Sequence, residues 1–465
     1  MQSARHGRLA GPSRLRSLCS FVPLRQTFAV IDWPAIHAEA LALFVRYLQF
    51  DTTNPPGNEK PAARWLGSLL EAEGIQTEYI ETAPEREVLV GRLRGDGSKR
   101  AIMLCNHTDV VPVEEAYWDM PAFEGVVKAG RVYGRGAVDM KGTGIMQLVA
   151  FLLLKRQGVA LKRDVVFCAV PDEEAGSALG MKWLCDNRPD VVDVEFELSE
   201  GGTGVSRFAG KEARLFNVAT NEKSGAGGLK LTAVGTPGHG SRPHEDNSAI
   251  HLMRALLKLH EWERGITYTP DTTAYLERLT DAGLMPPLAD KAAVEAQIRR
   301  SPALYAAFCN TLNVTMVRSG IKINVIPAKS QAFLDCRLLP GQDPEDWRQQ
   351  VIAYLDDARI EVEFASDRPA GAAPRPAEWD TELFWTIDAV VKEAMEDAVV
   401  VPSMTVGATD NRFLRARGIP AYGFIPCLLS PEESAGFHGN NEFLTIDNLN
   451  MGCELMYEVV RRMAT

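Results

Sequence analysis

The amino-acid sequence predicts an α/β fold: a mostly parallel sheet with helices on both faces, interrupted by an inserted α+β unit. Apolar strand-like runs alternate with helical periodicities up to about residue 200, which is typical of a parallel sheet. After the glycine-rich stretch SGAGG at 224–228 the order becomes β-α-β-β-α-β, that of a ferredoxin-like unit. Helix–strand alternation resumes at about residue 379.

The segment before the insert supplies the alternating elements. Apolar positions recur at helical spacing over 35–50, and the Asn-Pro-Pro-Gly that follows ends this helix. Further helices are expected over 60–73, 142–157 and 176–187. Strands are expected at 76–80, 88–93, 101–106, 164–170 and 194–198.

The inserted unit has a pattern of its own. Strands are expected at 229–234, 321–326, 330–338 and 360–364, and helices over 247–262 and 344–356. An additional helical stretch covers about 272–311. Aromatic residues in and before this stretch are Trp262, Tyr268, Tyr275, Tyr305 and Phe308. They either belong to the core or an interface, or they cap a pocket for an apolar group.

These patterns predict four segments: an extension at 1–32, a first part of the α/β domain at 33–224, the insert at 225–367 and a second part of the α/β domain at 368–465. The extension is rich in arginine and has no acidic residue before Asp32. Mitochondrial transit peptides share this composition; the alternative is a disordered extension or a start codon placed too far upstream. We therefore expect a cytoplasmic protein, or a mitochondrial one if residues 1–31 are a transit peptide.

Composition excludes several classes of partner. The chain has 50 basic and 61 acidic residues, a net charge of −11, which argues against a general nucleic-acid binder. Its longest apolar run, residues 145–154, is far shorter than a membrane-spanning helix, so no membrane partner is expected. The 8 cysteines form no C-x-x-C pair and indicate buried thiols in a reducing compartment.

Candidate metal ligands follow predicted strands or lie in glycine-rich segments. His107 comes directly after the strand AIMLCN, and Asp109 lies two residues on, on the same side of an extended segment. A carboxylate in that place can orient a metal-bound imidazole, although a lone histidine after a strand is more often structural. Asp139 lies in YGRGAVDMKG, where glycines let the backbone pass close to a site.

Four more residues complete the candidate set. Glu173 and Glu174 follow the strand VVFCAVP at the carboxyl edge of the expected sheet, where one can bind metal while the other handles a proton. Glu200 ends the strand-like run EFELSE, and His438 lies between glycines in GFHGNNE. Two histidines and three carboxylates suit divalent metals, Zn²⁺ first, with Mn²⁺ or Co²⁺ as alternatives.

Nine motifs in one order resemble the M20 family of metallopeptidases. They are HTDVVP, GRGAVDMKG, PDEEAGS, LSEGG, GTPGHGSRP, INVIPA, DCRLLPG, GATDNRF and FHGNNE. The resemblance runs from about residue 35 to 462, nearly the whole chain. It implies that the α/β domain is catalytic and that the insert is the family's lid, or dimerisation, domain.

The resemblance implies a site with two divalent metal ions. One ion would be held by His107, Asp139 and Glu200, and the other by Asp139, Glu174 and His438. Asp139 would bridge the two ions, and the peptide bond after it is often cis in the family. Glu173 would be the general base and Asp109 would support His107.

The resemblance also implies a role for residues of the lid and of one further loop. His239, in GHGSRP, matches the lid histidine that reaches the neighbouring subunit's active site in dimeric members, where it would stabilise the oxyanion. Asn324 and Arg337 match lid residues that contact substrate. Residues expected near a substrate carboxylate are Gly407, Thr409 and Arg412. Either arginine could instead form an ordinary ion pair.

The sequence therefore predicts a homodimeric hydrolase that cleaves an amide bond in a small carboxylate-bearing substrate, an N-acyl amino acid or a short peptide. Whether it is a deacylase or a dipeptidase or carboxypeptidase stays open at this point. A non-catalytic ligand-binding relative is disfavoured because every ligand position is intact. A nucleotide or redox enzyme is disfavoured because the dinucleotide fingerprint is missing.

Overall fold

The computed structural model describes residues 30–225, 227–366 and 376–465. The arginine-rich extension and most of the linker that leads out of the insert lie outside these residues, as does Ala226 of the glycine-rich stretch. The expectations for the extension therefore stay predictions.

Helices make up much of the described chain. They are α1 (Trp33–Leu48), α2 (Lys60–Ala72), α3 (Lys141–Arg156), α4 (Met181–Asn187), α5 (Ser248–His260), α6 (Pro270–Asp281), α7 (Lys291–Arg300), α8 (Pro302–Ala306), α9 (Pro344–Leu355), α10 (Glu382–Ala394), α11 (Asn411–Arg415), α12 (Pro431–Ser434) and α13 (Ile446–Ala464).

Strands alternate with these helices. They are β1 (Thr77–Ala83), β2 (Arg86–Leu93), β3 (Ile102–His107), β4 (Val126–Lys128), β5 (Arg131–Tyr133), β6 (Val165–Val170), β7 (Phe196–Phe208), β8 (Lys211–Glu222), β9 (Ser224–Gly225), β10 (Leu229–Val234), β11 (Gly238–His239), β12 (Thr311–Ser319), β13 (Val325–Ile326), β14 (Lys329–Leu338), β15 (Ile360–Phe364), β16 (Ala398–Thr405), β17 (Ala421–Leu429) and β18 (Phe443–Thr445).

The large sheet has the order β1-β2-β6-β3-β7-β17-β8-β16. Strand β3 runs parallel to β6 and β7, β7 runs parallel to β17, and β8 runs parallel to β16. Successive side chains of a strand point to opposite faces. Val166 and Cys168 accordingly pack in one cluster with Met181 of α4, while the ring of Phe167 lies 5.8 Å from that of Phe151 of α3, on the other face. The predicted mostly parallel sheet with helices on both faces is confirmed.

The segment between residues 224 and 364 builds a second sheet, with the order β12-β14-β10-β15 and with β9 paired to β14. Its strands are antiparallel, and α5 and α9 cover one face through a core that includes Leu231, Leu252 and Trp347. The order β10-α5-β12-β14-α9-β15 is the predicted ferredoxin-like order, with three further helices, α6 to α8, placed between α5 and β12.

One predicted strand of the insert is wrong. The strand expected at 321–326 is a short pairing of Val325–Ile326 with Gly238–His239, and the long strand is β12 at Thr311–Ser319. Residues 311–319 are rich in β-branched residues, a signal that favours a strand there. Gly320 then turns the chain at φ 70°, a conformation that glycine adopts without strain.

The helices α6 to α8 lie against the far end of the large sheet. Leu276 and Leu279 of α6 pack with Leu215 of β8 and Val401 of β16 in one buried cluster. These helices therefore belong by packing to the large sheet, although the chain order places them inside the insert. None of the described helices is long and apolar enough to cross a membrane.

Candidate metal centre

Three neighbouring parallel strands bring candidate ligands to one edge of the large sheet. His107 is the last residue of β3, Glu173 and Glu174 follow β6, and Glu200 lies in β7. The strands β6, β3 and β7 are adjacent and parallel, so their carboxyl ends meet at this edge. The same rule, applied to the predicted strands, led us to expect these residues at one edge of the sheet.

Asp139 and His438 complete the cluster from outside the sheet. The Nε2 atom of His107 lies 3.1 Å from Oδ1 of Asp139 and 3.5 Å from Oε1 of Glu200. The Nε2 atom of His438 lies 3.3 Å from Oδ2 of Asp139 and 3.2 Å from Oε2 of Glu174. The two carboxylate oxygens of Asp139 therefore face different histidines, which is the arrangement that a bridging ligand requires.

Glu173 lies beside this cluster on the side of His107 and Glu200. Donor atoms of these three residues lie within 4.8 Å of one another, as do those of His107, Asp139 and Glu174. Burial and then the charge of Glu200 raise the pKa of Glu173 to about 10. A carboxyl group that holds a proton this readily is suited to proton transfer.

The cluster carries more negative charge than its histidines neutralise. Burial, followed by the charge of Asp139, raises the pKa of Glu200 to about 8. Hydrogen bonds to Asp139 and Glu174 raise the pKa of His438 to about 10. Burial alone would lower the pKa of His107, but the charge of Glu200 and hydrogen bonds to carboxylates hold it well above its usual value. Such a set favours cations.

The donor set fits a pair of divalent metal ions. Donor atoms that share one tetrahedral zinc ion lie roughly 3.3 Å apart, given metal–ligand bonds of about 2.0–2.2 Å. The histidine–carboxylate separations of 3.1 to 3.5 Å match this value. The Oε1 atom of Glu174 is buried and has no hydrogen-bond partner among the described residues, so a cation would satisfy it.

Asp109 supports this edge of the sheet, but it contacts His107 through its main-chain oxygen rather than through the expected carboxylate. Nδ1 of His107 donates to the main-chain carbonyl oxygen of Asp109 at 3.0 Å, whereas the Asp109 carboxylate lies 3.6 Å away. That carboxylate instead accepts the backbone N–H groups of Glu173 and Glu174, each at 3.1 Å, and the Asn54 amide at 2.8 Å. Because Nδ1 donates to this carbonyl, Nε2 is the nitrogen that His107 can offer to a metal.

Glu442 is a buried residue of this site to which the sequence analysis gave no role. Its carboxylate accepts the backbone N–H groups of Gly136, Val138 and Asp139 at 2.7 to 3.1 Å, and the Arg135 guanidinium at 2.8 Å. It therefore fixes the loop that presents Asp139, where the Asp139–Met140 peptide bond is cis. Its place four residues after His438, in FHGNNE, was the available signal.

The loop between β16 and α11 is tied to the same edge. Thr409 donates its hydroxyl to Glu222 at 2.6 Å, and Asn411 donates its amide to the main-chain oxygen of Glu200 at 2.9 Å. The Thr409 hydroxyl is thus used to hold the loop against β8. Gly407 lies half-buried in this loop, and the Arg412 guanidinium lies 4.5 Å from the ring centre of Phe413.

The predicted lid residues are not brought to the cluster. His239 is exposed, pairs with Val325 across β11 and β13, and accepts the backbone N–H of Ser241 on Nδ1 at 3.1 Å. Asn324 is exposed, and its main-chain oxygen accepts the N–H of Gly240. Arg337 forms a two-point ion pair with Asp335. Within the described residues, none of the three contacts a candidate metal ligand.

Comparison of the chain with models of protein families identifies its family. The model of peptidase family M20/M25/M40 matches residues 103–462, which contain all the candidate ligands. The chain belongs to peptidase family M20/M25/M40. It is therefore a hydrolytic enzyme, as the motif order predicted.

Relatives of this M20 hydrolase have related activities. Aminoacylase-1 of Sus scrofa is 30% identical over 394 residues, covering 84% of this chain and 88% of that protein. Human carnosine dipeptidase 1 superposes with a TM-score of 0.66 at 14% identity, covering 93% of this chain and 98% of that one. A Bacillus subtilis protein, YXEP, described as a dinuclear metal binding peptidase from the M20 family, superposes with a TM-score of 0.58 at 12% identity, covering 93% and 99%.

Family membership and these relatives establish the class of reaction. The chain is a metal-dependent hydrolase of amide bonds. The Bacillus subtilis protein is described as binding two metals, and the cluster around Asp139 in this chain offers groups that could hold a metal ion.

Proposed function

We propose that this M20 hydrolase is a zinc-dependent deacylase that cleaves the amide bond of N-acyl amino acids. One observation carries the proposal: the two oxygens of Asp139 face His107 and His438, beside a protonatable Glu173. The similarity to aminoacylase-1 over 84% of the chain supports the substrate class.

Two metal ions would be held by the chain's own residues at this edge. His107, Asp139 and Glu200 would hold one ion, and Asp139, Glu174 and His438 would hold the other. Imidazole and carboxylate ligands favour zinc and are accepted by manganese and cobalt. Bound there, the ions supply a water of lowered pKa and a Lewis acid for the scissile carbonyl.

Glu173 would act as the general base and then the general acid. It lies beside His107 and Glu200 but outside the proposed ligand sets, so its carboxylate is free to take a proton from the attacking water. It would deliver this proton to the leaving amine. Positive charge bound nearby stabilises its ionised form and brings its pKa down toward the working range of a base.

Arg412 is the better of the two candidate groups for the substrate carboxylate. Arg337 already pairs with Asp335, whereas the Arg412 guanidinium forms no hydrogen bond to a carboxylate among the described residues. A guanidinium recognises a carboxylate through two parallel hydrogen bonds. Gly407 and Thr409 would shape the loop around it.

The insert, residues 225–367, would serve as the lid and dimerisation domain. β12 is an edge strand of its sheet, and Val314, Met316 and Val317 on it are exposed. Ile321 and Ile323 in the following turn are fully exposed as well. An exposed apolar edge of this kind marks a pairing surface, and a second copy would bring His239 to the partner's metal centre.

A dipeptidase or carboxypeptidase is the alternative, because the same cluster can hydrolyse a peptide bond by the same steps.

The cellular site of this hydrolase would be the cytoplasm, or the mitochondrion if residues 1–31 are a transit peptide. The described cysteines are all free and buried, which suits either reducing compartment.

The experiment is a panel of N-acyl amino acids and dipeptides offered to the zinc-loaded protein, with a chelated sample as control. We expect turnover of N-acyl amino acids that chelation abolishes and zinc restores. Preference for dipeptides would replace the deacylase by the peptidase. Metal content measured on the same samples would show whether activity follows two ions or one.

A further inference from the structure

An unassigned cavity of about 760 Å³ lies between the large sheet and the helices α6 to α8. Its walls include Val205, Leu215, Tyr275, Leu304 and Phe308. This volume is that of a ligand site rather than a packing defect. Val205 and Leu304 pack against the buried cluster between the sheet and these helices, stay partly exposed, and line the cavity.

One end of the cavity is lined by a residue that neighbours a candidate metal ligand in the chain. Gly201, which directly follows the candidate ligand Glu200, lines its inner end. Thr405 and Val406 line it from the other side, and the Thr405 hydroxyl donates to the main-chain oxygen of Gly201 at 3.0 Å. From Gly201 the cavity follows β7 as far as Arg207, about 20 Å at the usual rise of a strand.

The character of the walls changes along this length. The middle is apolar, with Val205, Phe208 and Ala307. Arg207 and Arg300 lie exposed at the outer end. A ligand in the cavity would thus have an apolar body, with one end at the metal centre and the other near water.

A buried lysine holds the helical wall against the sheet. Lys223, the residue after β8, donates its ammonium group to the main-chain oxygens of Ala306 and Cys309 at 3.0 and 2.8 Å and to the Thr311 hydroxyl. Its neighbour Glu222 accepts the Thr409 hydroxyl. The adjacent residues Glu222 and Lys223 therefore hold the loop beside the metal centre and the helical wall of the cavity, respectively. The cavity is thus present without a ligand.

We infer that this cavity takes the acyl chain of the substrate and selects N-acyl amino acids with long, unbranched apolar acyl groups. The inference rests on the proposed deacylase function. An acyl carbon at the metal centre would place the chain at Gly201, and each further methylene would lie against the walls built by α6 to α8. Those helices would thereby determine acyl-chain specificity.

The test compares N-acetyl, N-hexanoyl, N-octanoyl and N-dodecanoyl derivatives of one amino acid with the zinc-loaded protein. We expect kcat/KM for octanoyl to exceed that for acetyl by about tenfold or more, since a fully buried methylene contributes about fourfold. Ala307→Trp and Ala303→Trp, which add bulk at two lining positions, should lower this ratio at least fourfold, a threshold set by about one buried methylene. Ala292→Trp on α7, which does not line the cavity, is the matched control and should leave the ratio unchanged.

A second measurement does not depend on turnover. Dodecanoate binding to the zinc-loaded protein is followed by calorimetry, with thermal unfolding to show that each variant folds. Binding by the parent and by Ala292→Trp, lost in Ala307→Trp or Ala303→Trp, supports an apolar chain in the cavity, whereas hydrolysis of dipeptides alone would remove the deacylase and with it the assignment to an acyl substrate.

Two results would overturn it. One is hydrolysis of acyl amino acids with no gain from acetyl to dodecanoyl, which leaves the deacylase intact and removes the acyl site. The other is absence of both acyl hydrolysis and dodecanoate binding, which removes the acyl site together with the deacylase.

Discussion

Two histidines of this chain show how differently its two halves prepare a site. His107 is buried, donates from Nδ1 to a main-chain oxygen and presents Nε2 to the carboxylates of Asp139 and Glu200. His239 is exposed and accepts the Ser241 N–H on Nδ1, so its neutral ring carries the proton on Nε2. One ring is arranged to bind a cation and the other to donate a hydrogen bond.

The difference extends to their surroundings. The cluster around His107 is fixed by buried partners, above all Asp109 and Glu442. His239, by contrast, stands on a short two-stranded pairing at the surface. The histidines and carboxylates of the sheet edge thus face one another within one chain, whereas Nε2 of His239 has no acceptor among the described residues. Substitutions in the two regions should therefore fail in different ways.

The largest effect is expected at the sheet edge, where adjacent carboxylates should separate chemistry from metal binding. Glu173→Gln should lower kcat by about 10²–10⁴-fold, because the general base is lost. Its metal content should stay at the parent value. Glu174→Gln, the matched neighbour, should instead lose metal, measured by elemental analysis. Metal loss in Glu173→Gln would make Glu173 a ligand.

The next effect is expected in the lid. His239→Ala should lower kcat by about 10²–10³-fold, because the oxyanion loses a donor, while the unfolding midpoint stays the same. His244→Ala, an exposed lid histidine without an assigned role, is the control. Mixing inactive Glu173→Gln and His239→Ala proteins should restore activity after subunit exchange. No recovery despite demonstrated exchange would place His239 in its own chain's site.

A smaller effect is expected at Glu442, which contacts the loop of a proposed metal ligand and not the metal itself. Glu442→Gln should weaken metal affinity by about 10–100-fold, because the loop carrying Asp139 loses its charged acceptor. Activity should recover in excess zinc, unlike that of Glu173→Gln. The exposed Glu432→Gln serves as control in a metal titration. Equal affinities for both variants would show that Glu442 does not position Asp139.

The smallest effect is expected at the partner of the lid histidine. Ser241→Ala removes the hydroxyl that lies 2.7 Å from Nδ1 of His239 but keeps the backbone N–H. One hydrogen bond of this kind is worth about 0.5–1.5 kcal/mol, so kcat should fall about two- to tenfold. A drop as large as that of His239→Ala would mean that the hydroxyl alone orients the ring.

The sequence was sufficient to predict the sheet edge. His107, Glu173 and Glu200 each end or follow an apolar strand, and parallel strands bring such positions together. The site roles of these residues stay predictions, although their proximity is now described. The insert was harder, because β12 alternates weakly and the loop at 321–324 contains isoleucines that imitate a strand.

Contacts between segments distant in sequence could not be predicted. Glu442 accepts N–H groups from residues about 300 positions earlier, and no local pattern announces such a partner. The cavity arises in the same way, because Val205 and Leu304 meet only once α6 to α8 fold back onto β7 and β8. Long-range packing, rather than local preference, determines both features.

The interleaved order of the large sheet has a consequence for biosynthesis. β17 lies between β7 and β8, and the contact of Asp139 with His438 joins residues 299 positions apart. Early and late segments of the chain must therefore meet before the metal centre can form. A nascent chain that ends within the insert presents the long β7–β8 hairpin without its neighbouring strand, and such edges invite association. A chain that ends before residue 438 therefore lacks one of the proposed metal ligands, and the β7–β8 hairpin gains its neighbouring strand only once residues 421–429 have been made.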